Sequence, residues 1–104
     1  MHRYQLSPEA LDDLEEIWRY IARDSVETAN RVQDELFDTF ERLAKEPALG
    51  HPRPEVTHKN LRFWVVYSYL VVFKPGTEPL QIFAVIHGAR NLPRVLRSKR
   101  FRTI

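Results

Sequence analysis

The chain has 104 residues, no cysteine and a formal net charge of +2. A disulfide framework and a thiolate metal site are therefore excluded, and the size is that of one domain, expected to span 1–104. Hydrophobic residues make up 43% of the chain and twelve residues are aromatic, which suits a folded core and excludes a disordered chain. The apolar stretch around Phe63 to Phe73 is too short to span a bilayer, and no signal peptide follows Met1-His2-Arg3-Tyr4, so a cytoplasmic protein without membrane association is expected.

Tyr4-Gln5-Leu6 reads as a short extended segment. Ser7-Pro8-Glu9 then has the chemistry of a helix start. A serine oxygen accepts from a free backbone N–H, proline is preorganised for the first turn, and glutamate suits the positive end of the helix dipole. Leu11, Leu14, Ile17, Trp18 and Ile21 follow at helical spacing, with Asp12, Asp13, Glu15, Glu16 and Arg19 on the other side. This helix should end near Asp24, and Ser25 should cap a second one. There Ala29, Val32, Leu36, Phe40 and Leu43 form an apolar stripe that stops before Pro47. Two amphipathic helices joined this closely should pack as an antiparallel hairpin.

Pro47 to Pro54 is a crossing loop, with three prolines and Gly50. Leu61 to Val66, Tyr69 to Phe73 and Leu80 to His87 are rich in β-branched and aromatic residues and read as strands. Tyr67-Ser68 separates the first two, and Lys74 to Pro79 the last two. Asn91 can cap a short final helix with Pro93 in its first turn. The expected fold is α+β, in the order β-α-α-β-β-β-α, with a helical hairpin packed on a four-stranded, mainly antiparallel sheet.

Charge follows this layout. Residues 1–50 hold six basic and twelve acidic groups; residues 51–104 hold ten basic and two acidic. From Gly88 to Ile104 there are six basic side chains and no acidic one, so residues 89–104 read as a basic C-terminal segment made to grip nucleic acid or an acidic protein surface. The strands carry a second signal. Leu61, Phe63 and Val65 line one side of the first hairpin strand, and Trp64 and Val66 the other. Leu70 and Val72 likewise oppose Tyr69, Val71 and Phe73. A sheet covered on one face should alternate apolar with polar. Either the final helix covers the second face or another chain does.

The element order resembles that of the RelE/ParE superfamily of bacterial type II toxin–antitoxin toxins over essentially the whole length, on the ParE-like branch. The residues that carry the resemblance are Ser7-Pro8-Glu9-Ala10 with Leu14, Ile17 and Tyr20-Ile21-Ala22, then Leu43, Pro47 and Gly50, Leu61-Arg62, Tyr69 and Val71. The block Val85-Ile86-His87-Gly88-Ala89-Arg90-Asn91-Leu92 is the most specific of them. Tyr67-Ser68 stands where this branch usually has a glycine, and Asn91 where it usually has an aspartate. The resemblance implies a growth-arresting toxin that inhibits DNA gyrase by binding, without a cofactor. It also implies neutralisation by a cognate, ParD-like antitoxin in a hetero-oligomer. Trp64, Val66, Tyr69, Val71 and Arg90 are the residues expected to meet the antitoxin.

Target binding is expected from the tail: Arg90, Arg94, Arg97, Lys99 and Arg100 as cations and Phe101 as an apolar contact, with direct nucleic-acid contact also open to it. Removing residues 97–104 should then abolish growth arrest and leave the fold intact. Two alternatives stand beside this reading. The RelE-like branch cuts messenger RNA on the ribosome, and His87, Arg62 and Arg90, with Lys59, are the residues such an endoribonuclease would use here. No tyrosine lies beyond Tyr69 to supply the aromatic hydroxyl that branch carries after its last strand; Leu96 occupies the place. A plain nucleic-acid-binding module is the other alternative, with affinity falling steeply with salt. His87 reads equally as a contact residue or as one that shapes the exit turn at Gly88. His2, His51 and His58 lie at no metal-ligand spacing, so no metal is expected. Trp18 and Trp64 read as core.

Overall fold

The computed structural model describes residues 3–88 and 91–102. Its elements are β1 (Tyr4–Leu6), α1 (Pro8–Ala22), α2 (Val26–Lys45), β2 (Arg62–Val66), β3 (Tyr69–Lys74), β4 (Leu80–His87) and α3 (Leu92–Leu96), with 3-10 turns at Pro47–Leu49 and Lys99–Phe101. The α+β order expected from the sequence is observed. Both long helices start on the serines that sequence chemistry selects. Ser7 accepts from the Ala10 N–H and Ser25 from the Thr28 N–H, at 3.0 and 3.1 Å. Asn91 caps α3 in the same way, accepting from the Arg94 N–H at 3.1 Å.

The four strands lie in the order β1-β4-β3-β2. β2, β3 and β4 are antiparallel neighbours, and β1 runs parallel to β4, pairing Tyr4 with Leu80 and Leu6 with Ile82. A bulge interrupts β4: Val72 pairs with Ala84 and Phe73 with Ile82, which leaves Phe83 unopposed. An extra residue in one strand switches which backbone groups point to its free edge. Leu80 and Ile82 bond outward to β1 and its exit, the Leu80 N–H to the Arg3 carbonyl and the Ile82 carbonyl to the Ser7 N–H. Past the bulge, the Phe83 carbonyl accepts from the Ser7 hydroxyl and the Val85 N–H donates to Asp13 Oδ2. β1 is only three residues long, so side chains of α1 and its cap take over where it ends.

Two cores result, one on each side of the sheet. On the helix side, Leu14, Val32, Leu36, Phe40 and Leu43 pack on Val66, Val71, Phe73, Leu80, Ile82 and Val85. On the other side, Leu61, Phe63, Leu70, Val72, Ala84 and Ile86 meet Leu96 and Phe101, with Leu92 and Val95 at the margin. The chain's own C-terminal segment is therefore the cover that the two-faced strands require. This corrects two expectations. Phe101 is completely buried, so it is a core residue and no contact for a target. The stretch from residue 97 onward cannot be removed without opening the second core, because its aromatic anchor would go with it.

At the β2–β3 turn Tyr67 adopts φ 54°, the left-handed conformation that a glycine takes at no steric cost. Its phenol lies against α2, where hydrogen bonding to Glu35 raises its pKa above the ordinary 10. Gly50 is required for space, not conformation: a Cβ there would run into the buried Phe73 ring. Its carbonyl also accepts from Arg62 Nη1 at 2.7 Å.

Gly50→Ala should lower stability by about 1–3 kcal/mol through overpacking against Phe73. Phe101→Ala should cost about 3–5 kcal/mol, the range for emptying a fully buried aromatic site. Denaturant unfolding of both variants measures these losses; an unchanged midpoint for Phe101→Ala would mean that the C-terminal segment is not docked on the sheet.

Candidate functional site

The C-terminal segment is amphipathic along its length. Asn91 starts α3, Leu96 and Phe101 turn inward, and Arg94, Arg97, Lys99 and Arg102 are exposed. Fixing the apolar members fixes the cations, since they share one backbone. Lys59 reinforces the attachment by donating from Nζ to the Phe101 carbonyl at 3.0 Å. Arg53 lies over the Phe63 ring on the same side of the sheet, 5.7 Å from its centroid. The result is a cationic face opposite the acidic helical hairpin.

Arg100 departs from this arrangement. Its Nη1 donates to Asp13 Oδ2 at 2.9 Å, with the two side chains only 16% and 14% exposed. Among the cations expected to bind a target, Arg100 is therefore engaged inside the molecule. Asp13 takes two donors on one oxygen, one from the β4 edge and one from the C-terminal segment. It joins three parts of the chain that are far apart in sequence. The sequence pattern groups it with the polar side of α1, and its shielded position corrects that reading. It lies three residues after the buried Ala10 and four before Ile17, on the apolar stripe itself, and a carboxylate at such a place signals a partner.

The residues expected to meet an antitoxin divide into two groups. Val71 is fully buried and Val66 nearly so, both beneath the helices, because even-numbered β2 positions and odd-numbered β3 positions point at α1 and α2. They are core residues and contact no partner in this state. Trp64 and Tyr69 are half-buried at the margin of the same core. Trp64 stacks on His51 with ring centroids 6.3 Å apart. Trp18 is not in either core; it sits in the outer groove between α1 and α2 and donates to Asn30 Oδ1 at 2.9 Å. The expectation for Arg90 lies outside the described residues.

Of the residues an endoribonuclease would need, Arg62 and His87 are not brought together, and Arg90 lies outside the described residues. Arg62 opens β2, opposite Phe73, while His87 closes β4, opposite Tyr69. They lie at opposite ends of the sheet, separated by about 13 Å along the strands and by two strand spacings of about 4.8 Å. Arg62 points at the Gly50 carbonyl, and His87 packs edge-on against Tyr69 with centroids 5.7 Å apart. Among the described residues, no group of three or more His, Asp or Glu side chains is placed to hold a metal ion. No helix among them is long and apolar enough to cross a membrane.

Beside α1 and the end of β4 there is a cleft of about 250 Å³. Its α1 wall is Asp13, Glu16, Ile17 and Tyr20, and its sheet wall is Tyr69, Val85 and His87. Burial raises the pKa of Tyr69, with a further contribution from Tyr20. Burial also raises the Asp13 carboxyl above its ordinary 3.8, outweighing the lowering by the Val85 N–H and by Arg100. As pH rises past 3.8 the unfolded chain releases this proton first, so the stability due to Asp13 is full below 3.8 and is lost as pH climbs through the raised folded value. Asp13→Asn should remove that dependence. The stability of the native sequence relative to Asp13→Asn should therefore fall with rising pH across the acidic range, as read from unfolding curves at a series of pH values. A difference that rises with pH would mean that the ion pair outweighs burial.

Comparison with known proteins agrees with this fold. The family described as the ParE toxin of the type II toxin–antitoxin system, parDE, matches residues 4–92. Toxin ParE1 of Caulobacter vibrioides is 34% identical over 92 residues, which is 88% of this chain and 94% of that protein. The chromosomal ParDE toxin–antitoxin system of P. aeruginosa has a structure that superposes with a TM-score of 0.68 at 18% identity, covering 84% of this chain and 96% of that one. With that family matched from the first strand to the start of the last helix, the chain belongs to the ParE toxins of type II toxin–antitoxin systems.

Proposed function

We propose that this ParE-family toxin acts in the cytoplasm by binding DNA gyrase through the cationic face of its C-terminal segment, and that a cognate antitoxin neutralises it in a hetero-oligomer. The observation that carries the reading is the anchored amphipathic segment. Leu96 and Phe101 hold it to the sheet, and Arg94, Arg97 and Lys99 remain exposed. Cations on a fixed backbone lose little freedom when they meet a carboxylate or a phosphate, and arginine does so with bidentate geometry. The acidic hairpin on the opposite side would turn the basic face toward an anionic partner during approach. The separation of Arg62 from His87 supports binding over RNA cleavage as the mode of action.

Antitoxin contact is proposed at Trp64 and Tyr69, which are half-buried and carry aromatic surface at the edge of the helix-side core. Arg90 keeps its proposed part in both interactions.

The test is to express the chain without antitoxin and to assay the purified protein in gyrase supercoiling and in ribosome-dependent transcript cleavage. Inhibition of supercoiling with intact transcripts is expected. The combined substitution of Arg94, Arg97 and Lys99 by alanine should weaken inhibition by about tenfold or more, since these charged contacts together are worth at least the free energy of a decade in affinity. The variant should keep the unfolding midpoint of the native sequence, because all three side chains are exposed. Transcript cleavage with undisturbed gyrase turnover would overturn the proposal.

A further inference from the structure

The cleft beside α1 has a chemistry that the gyrase reading does not use, and it shares only Tyr69 with the proposed antitoxin contact. Its two carboxylates are not equivalent. Asp13 is matched by Arg100 and by a backbone N–H. Glu16, close enough to raise the Asp13 pKa, is exposed and forms no ion pair with any described residue. One negative charge is therefore left over at the mouth of the cleft. Facing it are aromatic surfaces. Tyr20 is 68% exposed, unusual for so large a side chain on a helix that also contributes to the core. Tyr69 is half-buried, lines the same cleft as Tyr20, and is buttressed edge-on by His87. Ile17 and Val85 form the apolar floor. No lysine or arginine among the described residues lines the space.

A surplus carboxylate beside two phenol rings, over an apolar floor, is complementary to a cation carried on an aliphatic stem. The ring faces are electron-rich and attract a cation lying over them, and the stem needs the apolar floor. A guanidinium fits better than an ammonium. It is planar, so it stacks on a ring while its N–H groups reach a carboxylate and a phenol oxygen, and it is the more weakly hydrated of the two. The charge of the surrounding layer has the right sign, since residues 1–50 hold twice as many acidic as basic groups.

We propose that this cleft is a binding site for the guanidinium group of an arginine displayed on a partner protein. Glu16 supplies the charge, Tyr20 and Tyr69 sandwich or flank the planar group, and Asp13 is kept from competing by its internal ion pair. The site uses none of Arg94, Arg97 and Lys99, so it stands or falls separately from the gyrase reading.

The test uses the intact protein and three capped tripeptides, Ala-Arg-Ala, Ala-Lys-Ala and Ala-citrulline-Ala. Citrulline keeps the shape of arginine and removes its charge. Ring proton resonances of Tyr20 and Tyr69 are followed by NMR. The arginine peptide should shift both sets saturably, with a dissociation constant on the order of 10 mM, as one cation–aromatic and one screened ionic contact allow. The citrulline and lysine peptides should each bind at least about fivefold more weakly, and so should the arginine peptide to Glu16→Gln, whose exposed position leaves the fold unaffected. Equal shifts from arginine and citrulline, a lysine peptide as tight as the arginine one, no saturable shift, or full binding by Glu16→Gln would each overturn the proposal.

Discussion

A sheet that is apolar on both faces must be covered twice, and the rest of the molecule follows from that requirement. β3 shows it most plainly. Leu70 and Val72 enter one core, Val71 and Phe73 the other, and all four are buried. Each face left open would expose apolar area at a cost of about 25 cal/mol per Å². The hairpin of α1 and α2 covers one face. Only the last dozen described residues remain to cover the other, so a segment rich in arginine has to supply Leu92, Val95, Leu96 and Phe101 as well. Its basic and apolar residues do not compete for one role; they occupy opposite sides of the same short stretch.

Asp13 is where the two covers meet. The bulge at Phe83 turns the Val85 N–H to the open edge of β4, beyond the reach of the three-residue β1. An unpaired N–H at a sheet edge either costs free energy when buried or invites another strand. The Asp13 carboxylate satisfies it from α1, and Arg100 then compensates the partly buried charge from the far side of the sheet. Removing either partner leaves the other charge buried and unmatched, which costs more than the pair itself contributes. The helical layer, the sheet edge and the C-terminal segment are coupled through one oxygen atom.

Element boundaries were legible in the sequence because they depend on local chemistry: Ser7, Ser25 and Asn91 as caps, Pro47 as a stop, period two in the strands. The need for a second cover was legible as well, in the two-faced alternation of Leu61 to Phe73. What covered it stayed open between the final helix and another chain, because the basic residues of the tail read as a grip on a partner unless the spacing of Leu92, Leu96 and Phe101 is set against the open sheet face. The same limit explains Val66 and Val71. Alternation assigns them to one face with Trp64 and Tyr69, yet it cannot say that the helices reach far enough to bury the first two and stop short of the others. The bulge at Phe83 is a feature of how β4 pairs with β3, the bond from Val85 to Asp13 joins residues 72 apart, and no local pattern encodes either. The left-handed backbone at Tyr67 was no more legible, since a tyrosine gives no local signal for the conformation that a glycine takes at no steric cost.

The anchoring of the basic segment bears on how a toxin of this family could be both potent and restrainable. A free tail would find an anionic partner readily and would lose much conformational freedom in binding it. A docked one presents Arg94, Arg97 and Lys99 on one ordered segment, so in the proposed interaction specificity would rest on matching that geometry and not on charge alone. The same docking covers Phe63, Leu70 and Ile86 on the sheet's second face while Phe101 is in place, and leaves Val65 exposed. An antitoxin then has two routes to neutralisation: cover the arginines where they stand, or displace the segment by supplying its own apolar side chains to Phe63, Leu70 and Ile86. The second route must first give up a fully buried aromatic, about 3–5 kcal/mol, and the shielded pair of Asp13 and Arg100 with it. Covering the exposed cations while leaving the core intact faces neither loss, and the half-buried rings of Trp64 and Tyr69 offer it apolar contact without disturbing either core.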